Sequence, residues 1–287
     1  MKLGVIGGSG LYDLDGIEGA EWLPVTTPWG DPSDHLLHAE MYGREVVFLP
    51  RHGRGHRILP HEINNRANIA ALKIAGCTDV LSVSACGSFR EELAPGDFLM
   101  VDQYVDRTRG RAKTFFGDGI AAHVAMADPN CSRLRGHVLT AAHDADITVR
   151  DGGTYLAMDG PAFSTRAESR LYRQAGLDVV GMTAMPEAVL AREAELCYAT
   201  LAMVTDWDSW RDAERGAEVA DILTVMHANV DKARKIIDRL IAALPNRRDP
   251  CAAGCDNALE HAIITPRELW PRQVMDRLAV IAERRMR

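Results

Sequence analysis

The chain has 287 residues, of which 47% are hydrophobic and 25% are charged, the range expected for one large or two small globular domains. Its formal net charge of −7 argues against a nucleic-acid-binding protein, which usually presents a basic face. No apolar stretch reaches the roughly 18 residues that a membrane span requires, and the apolar run over residues 3–6 is too short for a signal peptide. We therefore expect a cytoplasmic protein with neither nucleic acid nor membrane as a partner.

The cysteines are scattered along the chain, at Cys77, Cys86, Cys131, Cys197, Cys251 and Cys255. Only Cys251 and Cys255 are close in sequence, and no second pair follows at a spacing typical of a metal site. We predict no metal site and expect thiols in a reduced compartment. A labile disulfide between Cys251 and Cys255 is the alternative.

The first predicted strand, Lys2–Ile6, runs into a glycine-rich turn, Gly7–Gly10. The glycine spacing does not fit a dinucleotide-binding fingerprint, and no lysine follows as in a Walker A loop. Backbone N–H groups and the Ser9 hydroxyl could still bind an anion at such a turn. The alternative is a tight turn that requires positive φ.

Two further strands are predicted over residues 35–38 and 45–49, and a basic, glycine-broken loop, Arg51–Arg57, follows the second. Arg51 could grip a phosphate with two parallel hydrogen bonds, and His52 could add another donor. A solvated basic loop is the alternative interpretation of this segment.

A helix is predicted over Pro60–Ala75 and a buried strand over Asp79–Ser84. That strand runs into the small residues Ser84–Ser88, which would expose backbone groups and hydroxyls at a strand end. Another strand is predicted over Phe98–Val101, and the polar, glycine-punctuated segment Asp106–Gly119 indicates a loop or flap.

Residues 147–149 and 153–157 predict a β-hairpin. Thr165 and Glu168 then form a capping-box pattern, which predicts the start of a helix that stops at Gly176.

A strand is predicted over Asp178–Val180, a helix from Pro186 through Glu195, and a buried strand over 197–205 that ends abruptly at Asp206 and Asp208. Ligands of open α/β sheets bind beyond the carboxyl ends of strands, so these carboxylates occupy a position suited to chemistry. A turn or helix cap is the alternative.

A long amphipathic helix is predicted from Ile222 to Leu244, and a final helix from about Pro271 to Arg285. Strands and helices alternate throughout, which is typical of an α/β fold. Because strand ends converge in space, we expect one anion to be surrounded by Ser9, Arg51, His52, Ser84 and Thr183.

Taken together and in order, these segments make the chain resemble the 5′-methylthioadenosine phosphorylases of the trimeric purine nucleoside phosphorylase superfamily. The resemblance runs from residue 3 to about 244. The matching segments are Gly4–Leu11, Pro50–Gly53, Asn68–Lys73, Ala85–Ser88, Pro95–Asp97, Asp102–Gln103, Asp106–Thr108, Asp159–Ser164, Arg166–Ser169, Met182–Thr183, Pro186–Glu187 and Thr205–Asp208.

The resemblance implies a single α/β domain over residues 1–245, with a twisted mixed central β-sheet flanked by helices. It implies a homotrimer or a dimer of trimers. Residues 246–287, which we could not align, are expected to pack on the same domain as a loop and helix, serving as a lid or a subunit contact.

The activity implied is phosphorolysis of a nucleoside, with inorganic phosphate as co-substrate and no cofactor. By position, the phosphate-binding residues would be Ser9, Arg51, His52, Ser84, Ala85 and Thr183. The substrate-binding residues would be Phe163, Met182, Thr205, Asp206, Trp207 and Asp208. The family usually has Thr at positions 9 and 84, and Ser keeps the hydroxyl at both.

Asp206 and Asp208 are the predicted catalytic residues. Asp206 would protonate the leaving purine at N7 as a general acid, with its pKa raised by burial and by Asp208, so that the two titrate as a pair. Asp208 would accept a hydrogen bond from a 6-amino group and disfavour 6-oxopurines.

Val219 and Ile222 match positions that line the methylthio pocket of the family, where phosphorylases of ordinary nucleosides have a histidine. Ser164 occupies another specificity position, and His123 would reach the 5′ pocket of a neighbouring subunit. The expected substrate is therefore S-methyl-5′-thioadenosine. A methylthioinosine or general purine nucleoside phosphorylase is the enzymatic alternative, and a nucleoside-binding sensor is the non-enzymatic one.

Overall fold

A computed structural model describes residues 1–8, 10–11, 17–211, 219–245 and 249–286, with side chains of the fifth helix described from residue 222 onward. The predictions for Ser9 and for the side chain of Val219 therefore lie outside the described residues. Among the described residues, no helix combines the length and apolar character needed to cross a membrane.

The described chain forms strands and helices in alternation, as predicted. The strands are β1 (Leu3–Gly7), β2 (Glu18–Leu23), β3 (Leu36–Met41), β4 (Arg44–Pro50), β5 (Asp79–Ser88), β6 (Phe98–Met100), β7 (Gln103–Asp106), β8 (Val149–Asp151), β9 (Thr154–Ala157), β10 (Val179–Gly181) and β11 (Cys197–Asp206). The helices are α1 (Asn65–Ile74), α2 (Ser132–Asp144), α3 (Arg166–Gln174), α4 (Ala184–Glu193), α5 (Val219–Ala243) and α6 (Arg272–Met286).

The strands form a single mixed sheet that branches at β5. Its main path runs β2-β3-β4-β1-β5-β10-β9-β7, while β11 pairs with β5 and β6, and β6 pairs with β8. Helices α2 and α5 pack on one face, and α1, α4 and α6 pack on the other. The predicted α/β domain with a mixed central sheet flanked by helices is confirmed.

The predicted hairpin over residues 147–157 is wrong. β8 pairs with β6 and β9 pairs with β7 and β10, all in parallel. Between β8 and β9 the chain passes from one branch of the sheet to the other, where the Gly152 N–H donates to Met100 and Gly153 accepts from the Asp102 N–H. A short glycine link therefore serves as a crossover.

Local signals located several boundaries well. The Thr165 hydroxyl caps α3 by accepting from the Glu168 N–H, and the Glu168 side chain accepts from the Thr165 N–H, as the capping-box pattern predicted. The helix predicted over 60–75 instead divides into a 3₁₀ turn at Pro60–Glu62 and α1, because Asn64 caps a new start by accepting from the Ala67 N–H. The elements β2, β7 and α2 were not predicted.

Candidate active site

A gap in the pairing along one edge of β5 organises the site, opposite the edge that pairs with β11. β5 pairs with β1 through Ser82 and with β10 from Gly87 onward, so residues 83–86 lie between the two ladders. Ala85 is exposed within this otherwise buried strand. Backbone groups of alternate residues face the same neighbour, so the Ala85 backbone faces the gap, as does the Val83 carbonyl, which accepts from Arg51 Nη1 at 2.8 Å.

Ser84 and Thr183 meet at this gap, as predicted. Their hydroxyl oxygens lie 3.2 Å apart, and Ser84 Oγ is also 3.2 Å from the Tyr155 hydroxyl. Convergence of parallel strand ends is not the reason, because β10 is antiparallel to β5. β10 instead runs back along β5, which carries its C-terminal residue Gly181 and the following Thr183 towards Ser84.

Tyr155 contributes to this cluster and was not identified from the sequence. Its ring is completely buried, and burial raises the pKa of its hydroxyl to about 12, so the group remains a neutral hydrogen-bonding partner. A side-chain carbon at Gly181 would lie 2.1 Å from the Tyr155 hydroxyl oxygen. Only glycine at 181 leaves room for that hydroxyl.

Arg51 is oriented differently from the prediction. Its Nε donates to Glu187 at 2.6 Å, and its Nη2 donates to Ser82 at 2.7 Å and to the second Glu187 oxygen at 3.2 Å. Arg51 is 2% exposed, and Glu187 is completely buried. Burial alone would lower the pKa of Arg51, but the Glu187 carboxylate outweighs it and raises the pKa.

A bidentate grip on phosphate is therefore wrong for this conformation, because the donors that would form it already bind protein groups. A guanidinium has five N–H donors. The bonds to Glu187, Ser82 and Val83 use four of them, which leaves one hydrogen on Nη1 for a ligand. Glu187, which appeared in the sequence only as part of a matching motif, is the residue that orients Arg51.

His52 follows Arg51 and is half-buried. Its Nδ1 lies 2.9 Å from the Ile58 carbonyl oxygen, and its ring stacks on His56 with centroids 4.4 Å apart. Burial lowers the pKa of His52 to about 4, with the nearby Arg51 charge acting in the same direction. An Nδ1–H donated to Ile58 directs Nε2 away from that carbonyl.

Asp206 and Asp208 lie where β11 ends beside β5. The pairing register shifts between Val204 and Asp206, and Asp206 accepts from the Thr205 hydroxyl at 2.8 Å and from the Asp208 N–H at 2.7 Å. A side-chain carbon at Gly87 would lie 2.9 Å from Asp206 Oδ1 and 3.1 Å from Asp208 Cβ. Glycine at 87 therefore lets both aspartates approach β5.

Burial raises the pKa of both carboxyls. For Asp206, the hydrogen bonds from Thr205 and Asp208 N–H oppose that rise. For Asp208, burial is opposed by the Ser169 and Ser164 hydroxyls and assisted by the charge of Asp206. Mutual repulsion is thus secondary to burial as a cause of the raised pKa values.

Unsatisfied polar atoms face this region. Among the described residues, Asp208 Oδ2 and Trp207 Nε1 are buried without a hydrogen-bond partner. An unpaired buried acceptor costs about 1–3 kcal/mol, so Asp208 is set up for a donor that the described residues do not supply.

The other predicted substrate-binding residues occupy the surrounding loops. Phe163 is 43% exposed and Ser164 is 5% exposed, so adjacent residues point to solvent and to the interior. Met182 is half-buried, and its sulfur lies 2.4 Å from where a side-chain carbon at Gly160 would stand. Trp207 is half-buried beneath the Arg211 guanidinium, 3.6 Å from its ring centroid.

Arg111 holds these loops together and was missed from sequence. It donates to the carbonyls of Met182 at 2.7 Å, Met185 at 3.0 Å and Asp159 at 3.0 Å. The predicted loop or flap over 106–119 thus anchors both the Phe163 loop and the Met182 turn. No local pattern distinguishes this arginine from others in a polar loop.

Two predicted specificity residues differ in their surroundings. Ile222 is half-buried on the first described turn of α5. The His123 side chain is exposed, and the backbone N–H of this residue donates to the Ala262 carbonyl of the C-terminal segment at 2.9 Å. A single chain therefore leaves the His123 side chain facing outward.

Comparison with known proteins is consistent across sequence and structure. The phosphorylase superfamily model matches residues 2–242. The S-methyl-5′-thioadenosine phosphorylase of Cereibacter sphaeroides is 52% identical over 98% of this chain and 97% of its own length. That of Geobacter sulfurreducens is 48% identical over 97% of each chain.

Solved structures agree. A methylthioadenosine phosphorylase from an antarctic soil metagenomic library has a TM-score of 0.92 at 42% identity, covering 97% of this chain and 98% of its own. The Schistosoma mansoni methylthioadenosine phosphorylase in complex with adenine has a TM-score of 0.81 at 35% identity, covering 99% and 98%. The similarity includes the C-terminal segment that we could not align by motif.

One assignment follows from the hydroxyl-lined gap in β5, the two aspartates at the end of β11 and the near-full-length similarity to these enzymes. The chain belongs to the S-methyl-5′-thioadenosine phosphorylases of the phosphorylase superfamily, which are pentosyltransferases of the purine nucleoside phosphorylase type.

Proposed function

We propose that this chain cleaves S-methyl-5′-thioadenosine with inorganic phosphate. A phosphate oxygen forms a bond to C1′ of the ribose, the C1′–N9 bond breaks, and its electron pair leaves with the purine. The products are adenine and 5-methylthioribose 1-phosphate. The observation that carries the proposal is the buried, unpartnered Oδ2 of Asp208 next to the β5 gap.

Phosphate would bind at the gap. The Ser84 and Thr183 hydroxyls and the Ala85 N–H can donate to its oxygens, and Arg51 can add its remaining Nη1 hydrogen. Ser9 stays a predicted fifth contact. A transition state with oxocarbenium character is stabilised by a fixed anion close to C1′, so the nucleophile also stabilises the developing charge.

His52 would serve this site only when a ligand changes its charge. Its pKa of about 4 in the ligand-free protein keeps the ring neutral near pH 7. A phosphate dianion near Nε2 would raise that pKa, and His52 would then donate to phosphate. Phosphate binding through His52 is therefore coupled to uptake of a proton.

Asp206 would be the general acid. Burial raises its pKa, which increases the protonated fraction relative to an exposed aspartate. Proton transfer to purine N7 gives the leaving group a neutral form, and such transfers typically contribute about 10²–10⁴-fold.

Asp208 would select the base. Its Oδ2 can accept from a 6-amino group, whereas a 6-oxo group would place oxygen against oxygen. Mismatches of this kind at sites built to hydrogen-bond can discriminate by about 10⁴ or more. Phe163 would pack on the base, Met182 would contact the ribose, and Thr205 and Trp207 would border the base.

The 5′-methylthio group would lie against Ile222 and Val219, with Ser164 nearby and His123 supplied by a neighbouring subunit. We propose a homotrimer or a dimer of trimers in the cytoplasm, with residues 246–287 acting as a lid or a subunit contact. No cofactor is required, since phosphate is a co-substrate.

The test is phosphate-dependent base release from S-methyl-5′-thioadenosine, methylthioinosine and inosine. We expect the highest kcat/KM for the first substrate. The Asp208→Asn substitution should lower kcat/KM for S-methyl-5′-thioadenosine by about 10²-fold or more. It should also reduce the ratio of this kcat/KM to that for methylthioinosine. The exposed Asp276 provides a control, Asp276→Asn, which should leave the ratio unchanged. A preference for inosine, or tight nucleoside binding without turnover, would contradict the proposal.

A further inference from the structure

Four cysteines from three distant parts of the sequence converge on one point, away from the β5 gap. Cys131, Cys197, Cys251 and Cys255 place their sulfur atoms within 4.8 Å of one another, and all four are buried. The Cys131 and Cys251 sulfurs are 3.6 Å apart, and all six cysteines of the chain are present as thiols.

These distances match a tetrahedral metal centre. Zinc–thiolate bonds of about 2.3 Å at the corners of a tetrahedron separate the sulfurs by about 3.8 Å, close to the distance between Cys131 and Cys251. The set is too compact to enclose a cluster containing several iron and sulfide atoms. A single tetrahedral ion with four sulfur ligands is typically zinc.

The backbone positions the ligands independently of any metal. Cys131 is the N-cap of α2, and Cys197 is the first residue of β11. The Cys131 N–H donates to the carbonyl of Tyr198 at 2.8 Å, which holds these two elements together. Gly254 adopts a left-handed conformation with φ 68°, and this turn directs Cys251 and Cys255 to the same point.

A positive charge and a helix N-terminus also lie beside the cluster. Arg133, which forms an ion pair with the buried Asp79, also interacts electrostatically with Cys197, and Cys131 stands at the N-terminus of α2. A nearby guanidinium and the N-terminus of a helix both favour the thiolate form of cysteine, which is the form that binds a metal.

We propose that Cys131, Cys197, Cys251 and Cys255 bind one zinc ion as a closed structural site. Binding releases the four thiol protons to solvent. All four positions are filled by protein, so the ion has no open position for substrate. The site fastens the C-terminal segment to α2 and to β11, the strand that ends at the catalytic aspartates.

From the sequence we predicted no metal site, because Cys251 and Cys255 have no second pair nearby in the chain. The fold supplies that pair from residues 131 and 197. The inference does not depend on the proposed function, since the site can be measured without any assay of turnover.

The experiment measures metal content of the purified full-length protein by mass spectrometry, before and after reduction and addition of one equivalent of zinc. We expect about one zinc per chain. The double variant Cys251→Ser, Cys255→Ser should retain less than about a tenth of it. Cys77, a buried cysteine outside the cluster, provides the control Cys77→Ser, which should retain zinc fully.

Cobalt replacement reports the coordination of the wild-type site directly. Cobalt bound to the wild-type protein should show sulfur-to-metal charge-transfer bands and strong visible bands, the signature of tetrahedral thiolate coordination. These bands should be absent in the double variant. Removal of zinc with a chelator should also lower Tm, because metal binding contributes to folding.

Three results would overturn the proposal. One is failure to take up zinc after reduction. Another is zinc at full stoichiometry in the double variant, which would make it an adventitious ion only. The third is a count of two thiols rather than six in the denatured, unreduced protein, which would mean that the cluster forms two disulfides.

Discussion

Asp206 and Asp208 are two residues apart, yet their surroundings suit them to different tasks. Asp206 accepts hydrogen bonds from Thr205 and from the Asp208 N–H, which hold it in one orientation. Asp208 keeps a buried oxygen without a partner among the described residues. These surroundings suit the roles that we propose, with Asp206 as the acid for purine N7 and Asp208 as the acceptor for a 6-amino group.

We expect Asp206→Asn to lower kcat by about 10²–10⁴-fold while the affinity for phosphate changes little, because phosphate would bind at the other end of the site. Steady-state kinetics and phosphate binding by calorimetry check this. In the wild-type enzyme, the raised pKa of Asp206 should extend the protonated, active form to higher pH than an ordinary aspartate would. An unchanged kcat in the variant would exclude Asp206 as the acid.

At the level of elements, buried charged groups connect segments that lie far apart in sequence. Glu193, at the end of α4, accepts from the Phe115 N–H at 2.7 Å and from the Thr114 hydroxyl at 2.7 Å. It thereby ties the loop that contains Arg111 to α4. Burial raises the pKa of Glu193 to about 7, although these two hydrogen bonds oppose the rise.

This raised pKa makes stability depend on pH. The folded state binds the Glu193 proton more tightly than the unfolded state, whose pKa is near 4.5. The corresponding stability is fully present below about pH 4.5 and is lost as pH rises through about 7. The Glu193→Gln variant should not lose this stability as the pH rises. The free energy of unfolding of the variant, minus that of the wild type, should therefore increase by up to about 3 kcal/mol between pH 4.5 and 8.

Denaturant unfolding at several pH values measures this difference. The exposed Glu268 provides the comparison variant Glu268→Gln, for which no pH-dependent difference from wild type is expected. A constant difference between Glu193→Gln and wild type across this range would show that folding does not raise the pKa of Glu193.

At the scale of the whole molecule, the exposed position of His123 suits the subunit contact that we propose. The backbone N–H of His123 donates to the Ala262 carbonyl, and the backbone N–H of Ile264 donates to the Ala121 carbonyl. Ile264 is 62% exposed. An apolar side chain and a histidine on one outward strip are consistent with a subunit contact that completes the 5′ pocket.

We expect light scattering to give three chains, or six, per particle. His123→Ala should raise KM for S-methyl-5′-thioadenosine several-fold with a smaller change in kcat, while the variant keeps its oligomeric state. His61→Ala, at another exposed histidine, is the control. A fully active monomer, or a His123→Ala variant with unchanged KM, would contradict this arrangement.

The sequence by itself determined the α/β class, most element positions and the polar residues at strand ends. Burial patterns, capping residues and glycine turns are local, so the strand before Asp206, the cap at Thr165 and the long helix α5 could be predicted from short windows. The grouping of Ser84 with Thr183 was also predicted, although for a reason that the antiparallel direction of β10 corrects.

Only the tertiary structure decided which donors remain available and which distant residues meet. The Nε and Nη2 donors of Arg51 are occupied because Glu187, 136 positions away in sequence, lies beside them in the core. No local sequence pattern encodes that partner. The crossover at Gly152, the anchoring by Arg111 and the convergence of Cys131, Cys197, Cys251 and Cys255 have the same origin. Contacts between residues far apart in sequence arise from the packing of whole elements, which neighbouring residues alone do not specify.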